Sequence, residues 1–135
     1  MKILDRFRKE RVVTGEPVLG EEAVREALEN RSFKFVKGFG IMGDLVGKYY
    51  RWSFRENGRI RFDLDWTIPG IERVTTAPMF DKFQAFSDSA NKDVRWAPKR
   101  DGVELVNKGE RELCRVYRDG PVIRVITSEN RVLET

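Results

Sequence analysis

Residues 48–66, KYYRWSFRENGRIRFDLDW, alternate apolar and polar side chains on both sides of an Asn-Gly step, the pattern of two half-buried strands joined by a tight turn. Two registers compete. A two-residue Asn57-Gly58 turn sets Phe54 opposite Arg61 and Trp52 opposite Asp63, which mixes apolar and charged residues on one face, and a half-buried sheet resists that. A three-residue loop, Glu56-Asn57-Gly58, pairs Phe54 with Ile60, Trp52 with Phe62 and Tyr50 with Leu64. It also places Gly58 in the left-handed position that such loops need. The second register is expected, because one face becomes wholly apolar. The other face then carries Arg51 opposite Asp63, Ser53 beside Arg61, Tyr49 opposite Asp65 and Arg55 opposite Arg59.

Elsewhere the period shifts. EEAVREALENR (21–31) repeats apolar residues at helical spacing, with Val24, Ala27 and Leu28 as its stripe and acids in its first turn, where the helix dipole favours them. SFKFVK returns to a period of two, with Phe33 and Phe35 on one side. Further strands are expected at IERVTT, DVRW, GVELV, ELCRVY and VIRVIT. MFDKFQAF spaces Phe80, Phe83 and Phe86 three apart, which suits a short helix or a folded loop on the sheet. An Asp119-Gly120 turn in ELCRVYRDGPVIRVIT pairs Val116 with Ile123 and Cys114 with Val125, and sets Arg115 opposite Arg124. Pro121 costs that turn one amide donor, so a longer loop stays open. NKG (107–109) reads as a turn of undefined register. Near the start, Ile3, Leu4 and Phe7 share one side of a helical turn, read as a docking helix on the chain's own domain rather than a membrane-surface anchor. The expected fold is α+β: one domain over 1–135, an antiparallel β meander, open or closed into a small barrel, with the helix at 21–31 packed on it.

Composition narrows the chemistry. The chain is 40% hydrophobic and 36% charged, with three Trp and nine Phe, which is the profile of a globular protein. At 135 residues, folding hides about two thirds of the unfolded chain's surface, enough for a core without staples. There is no histidine, which removes histidine-dependent catalysis and histidine metal sites. The one cysteine, Cys114, excludes an internal disulfide and a multi-cysteine zinc site, and reads as a small core residue. The net charge of +4 is weakly cationic, but 17 of the 26 basic residues are Arg, suited to planar pairing with carboxylates or phosphates. No apolar run approaches a membrane span. MKILDRFRKERVV mixes Asp5 and Glu10 among its bases and has no long apolar stretch, so no secretory signal is expected and a cytoplasmic setting is.

Three stretches look like chemistry. GFGIMG (38–43) matches the dinucleotide fingerprint at Gly38, Gly40 and Gly43, yet that fingerprint needs a helix after the glycines and a parallel crossover unit. A bend where backbone passes close to backbone is expected instead, and no cofactor. FDLDW (62–66) places Asp63 and Asp65 on one strand face, roughly 7 Å apart. This stretch resembles the first motif of archaeal-type primases, which implies magnesium on the two carboxylates, but those families carry a histidine in their second motif. LVGKYYRWSFRENG (45–58) resembles the first strand of phenolic acid decarboxylases and related calycin barrels, and GKYY is similar to the glycine–aromatic entry of lipocalins. The resemblance implies a small antiparallel barrel whose inner face could hold an apolar ligand. The decarboxylase strand carries tyrosines for substrate handling. Trp52 and Phe54 stand in those places here, with one extra residue before the turn, so the resemblance does not extend to that activity.

Four functions follow. The leading one is a non-catalytic binding protein whose inner residues Tyr50, Trp52, Phe54, Phe62, Leu64 and Trp66 line a pocket for an apolar small molecule. The second is binding of nucleic acid or another polyanion through Arg51, Arg55, Arg59 and Arg61, joined by Arg115 and Arg124. The third is an assembly or interaction subunit, for instance of a phage or bacterium, working through the N-terminal helix or a sheet edge. The fourth is a metal-dependent enzyme using Asp63 and Asp65.

Overall fold

In the computed structural model, which describes residues 15–135, eight strands follow chain order around a ring. After a two-residue strand β1 (Glu16–Pro17) come β2 (Arg31–Lys37), β3 (Tyr50–Phe54), β4 (Ile60–Leu64), β5 (Val94–Lys99), β6 (Gly102–Asn107), β7 (Glu110–Asp119), β8 (Val122–Ile126) and β9 (Val132–Glu134). Sequential neighbours pair antiparallel, and β9 pairs back onto β2, so the sheet runs β4-β3-β2-β9-β8-β7-β6-β5. The remaining gap lies between β4 and β5. The result is a mostly antiparallel sheet curled into a nearly closed barrel with four helices among the described residues: α1 (Glu21–Leu28), α2 (Gly40–Gly47), α3 (Ile71–Val74) and α4 (Phe80–Asp93). The docking helix expected around Ile3, Leu4 and Phe7 lies outside the described residues.

The β3–β4 register is the one the apolar face demands: Tyr50 faces Leu64, Trp52 faces Phe62 and Phe54 faces Ile60, with Arg51 opposite Asp63. Arg55 donates its amide to the Arg59 carbonyl at 2.8 Å, and Gly58 takes a φ of +75°. An eight-stranded barrel is just wide enough for side chains to fill it. Tyr50, Phe54 and Phe62 are fully buried, in one cluster with Phe33 of β2, Val103 of β6, Cys114 and Val116 of β7, Ile123 and Val125 of β8, and Leu133 of β9. Burial pushes the Cys114 thiol up to about 12, helped by the charge of Glu112, so it is an inert core group.

Helix α1 is shorter than its sequence period, because Glu29 already turns extended (φ −61°, ψ 128°), Asn30 follows at φ +60° and β2 begins at Arg31. Its Val24, Ala27 and Leu28 are fully buried. It touches β2, β5 and β6, strands on separate sides of the ring, so it sits across one end of the barrel. The helix expected to cover the sheet is therefore one of four among the described residues.

Other expectations are corrected. IERVTT forms no strand. Ile71 and Val74 are the buried residues there, a spacing of three that fits the single helical turn of α3. The bend expected over GFGIMG is confined to Gly38 and Phe39, where Gly38 (φ +121°) lies against the Arg131 backbone; from Gly40 the stretch is the start of α2, with Phe39 donating its amide to Asp44 Oδ1 at 2.8 Å. Gly43 and Gly47, four residues apart, share the buried face. A Cβ on Gly43 would overlap Phe39, and one on Gly47 would lie 3.3 Å from the Phe83 ring. Gly43 and Gly47 thus serve ring-to-helix packing within the helix, whereas Gly38 lies before it. The opposite side of α2 leaves Ile41, Met42 and Leu45 exposed. The β7–β8 hairpin turns at Gly120-Pro121, two places from the expected register: Asp119 faces Val122 and Val116 faces Val125. Gly120 has a φ of +58°, and Pro121 needs no amide at the second turn position, the combination favoured by a glycine-first hairpin turn. Arg124 consequently faces Tyr117, not Arg115. Among the described residues no helix is long and apolar enough to cross a membrane.

Candidate binding groove at the barrel seam

The seam between β4 and β5 is where the ring lacks a ladder, and side chains replace it. Asn91 of α4 accepts from the Phe62 amide at 2.7 Å and donates to the Phe62 carbonyl at 2.9 Å. Ser87, one helical turn earlier, donates to the same carbonyl at 2.5 Å. The helix therefore presents a carboxamide where a neighbouring strand would present a peptide group. At the hairpin tip, the Trp96 amide reaches the Gly58 carbonyl at 2.9 Å and its indole Nε1 reaches the Arg55 carbonyl at 2.8 Å. These bonds fasten β5 to the tip and leave a recess along β4.

That recess consists of two adjoining concavities, of about 290 Å³ and about 400 Å³, which share Arg61 and Asn91. The first is lined by Arg55, Asn57, Arg59 and Ile60. The second runs past Phe62, Asp63 and Leu64 to Trp66, with Gln84, Ser87 and Asp88 opposite. Of the six arginines singled out in the sequence, the structure brings Arg55, Arg59 and Arg61 into this groove. Arg61 Nε lies 3.0 Å from Asp63 Oδ2, and Arg51 Nε lies 3.6 Å from Asp63 Oδ1, so one carboxylate serves two guanidinium groups. Arg61 thus has a carboxylate partner two residues along its own strand. Arg55 and Arg59 are exposed and form no ion pair among the described residues. Arg115 is exposed on β7 and stands over Tyr117, away from the groove lining. Arg124 is withdrawn from any such patch: its side chain is 11% exposed and bonds Asp119 at 2.9 Å and Glu134 at 2.7 Å.

The aromatic residues divide. Tyr50, Trp52, Phe54 and Phe62 point inward and pack ring on ring, and Leu64 is half-buried against them. Trp66 does not join them; it is 65% exposed at the groove's far end. Its displacement has a local cause. Asp65 Oδ1 accepts from the Thr67 amide at 3.1 Å and from the Thr67 hydroxyl at 2.5 Å, an Asx-turn that ends the strand at Leu64. Alternation stops there, Asp65 is buried, and the next side chain faces out. The D-x-T spacing is the signal for it. Asn91, Ser87, Gln84 and Asp88 had no such signal, because nothing in the pattern lays α4 along β4.

The two aspartates proposed for a metal are both engaged. Asp63 faces Arg51 and Arg61, and Asp65 Oδ2 lies 3.5 Å from Lys34 Nζ. Among the described residues no group of three or more His, Cys, Asp or Glu side chains is placed to hold a metal ion. Thr67's hydroxyl holds the Asp65 carboxyl below its ordinary range, with the Thr67 amide, Lys34 and Arg51 adding to it against the opposing effect of burial. A carboxyl depressed in the folded state stabilises above its unfolded pKa, near 3.9, and loses that contribution as pH falls through the folded value. Asp65→Asn is therefore expected to be less stable than the parent at pH 7 and to close that gap below about pH 4, checked by urea midpoints across pH. An equal gap at pH 7 and pH 3 is the contrary result.

Burial pushes the Tyr50 hydroxyl up to about 12, with the charge of Asp88 adding to it, so Tyr50 stays neutral. Among the described residues neither Tyr50 Oη nor Trp52 Nε1 has a hydrogen-bond partner, although both atoms are buried. No family model, curated protein or solved structure matches the chain.

Proposed function

We propose that this is a non-catalytic binding protein that takes a polyanion along the seam groove. The observation that carries the reading is the confluence of Arg55, Arg59 and Arg61 around one concavity of the groove, with Arg55 and Arg59 unpaired among the described residues. Like charges gathered on a hairpin tip cost stability, and an anionic partner reverses that sign. Guanidinium groups suit phosphate or sulfate through paired N–H donors. The test is retention on heparin and binding of labelled oligonucleotides over a salt series. With three phosphate contacts on a single strand, the slope of log affinity against log salt is expected near −2, by roughly −0.7 per contact. Arg55→Ala with Arg59→Ala should reduce the slope and the affinity together. Absence of binding at low salt, or binding indifferent to salt, sinks the proposal.

A second reading keeps the calycin-like kinship and places a small aromatic or apolar molecule inside the barrel. Its support is the pair of buried donors, Tyr50 Oη and Trp52 Nε1, which lack partners among the described residues in a nearly closed eight-stranded ring. Tryptophan emission titrated with hydrophobic small molecules decides it: saturable quenching supports an interior ligand, and a flat response ends that reading.

A further inference from the structure

We infer that the groove takes a single-stranded nucleic acid, with phosphates on the arginine half and one base stacked on Trp66; this rests on the polyanion reading and names its ligand class. The two halves of the groove differ in charge. Around the hairpin tip the lining is Arg55, Asn57, Arg59 and Arg61, whereas the other half presents Trp66, Gln84 and Asp88, with Asp63 between them. A uniformly charged chain such as heparin gains at the first half and is repelled by Asp88 at the second. A nucleic acid strand fits both, because its charge lies on one side and its uncharged aromatic bases on the other. The Asp88 carboxylate, which repels phosphate, accepts hydrogen bonds from base N–H groups, and the neutral Gln84 carboxamide both accepts from and donates to base edges.

Trp66 has the attributes of a stacking platform. Its indole is 65% exposed beside the recess, and the Asx-turn of Asp65 and Thr67 fixes its backbone. From Arg59 to Trp66 the chain covers roughly 20 Å at about 3.3 Å per strand residue, room for several nucleotides. Duplex DNA buries its base faces and offers Trp66 nothing to stack on, so preference for a single strand is the signature of this arrangement.

The experiment uses the full chain and three probes: a dT 12-mer, an rU 12-mer and a duplex of equal length. Trp52 and Trp96 are buried, so long-wavelength tryptophan emission reports Trp66. The expected result is saturable quenching of that emission by the single strands and far weaker quenching by the duplex; the two 12-mers tell DNA from RNA. Trp66→Phe should abolish the quenching while retaining binding of a labelled strand. Trp66→Ala should weaken strand binding by about 5- to 150-fold, the range for loss of one stacked base, while leaving the salt slope and heparin retention unchanged. Because Trp66 is exposed, an unchanged melting temperature confirms that the variants fold. If the strands bind but Trp66 is not quenched, or if Trp66→Ala binds as tightly as the parent, this inference fails and the polyanion reading stands. Failure of heparin and all three probes to bind overturns both.

Discussion

Phe62→Ala is expected to lower the unfolding free energy by about 3–5 kcal/mol, the range for deleting a buried aromatic ring. Phe62 is fully buried on the inner face of β4, and four other rings surround it. Tyr50 is stacked on it at 5.2 Å, and Phe35, Trp52 and Phe86 approach edge-on at 5.8, 5.3 and 5.1 Å. The loss combines the ring's transfer from water, the cavity left among stiff neighbours, and aromatic pair contacts worth about 0.5–1.5 kcal/mol beyond area burial. Rings held by strands β2 and β3 cannot collapse into the space, which places the cost toward the upper end. A domain's total stability is about 5–15 kcal/mol, so the variant should be marginal, with its melting temperature reduced by roughly 10–25 °C. Thermal and urea unfolding measure it. Leu113→Ala, at an exposed position on β7, is the control and should move stability by less than about 0.5 kcal/mol. A loss below about 1 kcal/mol for Phe62→Ala would mean that the interior is not packed around this ring.

The same residues show what a sequence of this kind reveals. The β3–β4 hairpin was legible to the residue pair, since alternation, an apolar face and a glycine at the turn all point to one register. Where a single local bond overrides the period, legibility stops. Trp66 follows the alternation on paper, yet the Asp65–Thr67 turn rotates it into solvent. The β7–β8 register shifted by two because the proline sits inside the turn rather than after it. GFGIMG shows only spacing, and spacing does not tell a glycine that loosens a loop from one that lets a ring approach a helix. The short strand β9, which closes the ring onto β2, is three residues long and too brief for periodicity to mark. The candidate site was half legible. The hairpin arginines were visible as a cluster. The opposite wall was not, because Ser87 and Asn91 act on backbone atoms of Phe62, and such contacts leave no pattern in side-chain polarity.

Ser87→Ala combined with Asn91→Ala is expected to cost about 2–4 kcal/mol and to expose the edge of β4. Three hydrogen bonds end on the Phe62 peptide groups from these two side chains. Each is worth about 1 kcal/mol net, and a donor or acceptor stranded in a partly buried seam costs about 1–3 kcal/mol. Water entering along the groove recovers part of that, which keeps the sum below the ceiling. Hydrogen exchange is the sharper measurement: the Phe62 amide should lose protection far more than the Val125 amide, which lies within the β7–β8 ladder. Asn91→Asp offers a check on chemistry rather than volume. It keeps an acceptor for the Phe62 amide but sets a carboxylate against the Phe62 carbonyl, so it should recover little of the loss at pH 7. If the double variant costs under about 0.5 kcal/mol with Phe62 protection intact, the helix is resting on β4 rather than completing it. A free β4 edge is also a pairing template, so the double variant should self-associate more than the parent. The seam then explains fold and groove together: an up-and-down barrel left open between two strands needs a helix to satisfy the edge, and the helix that satisfies it stands back far enough to leave the arginines a channel.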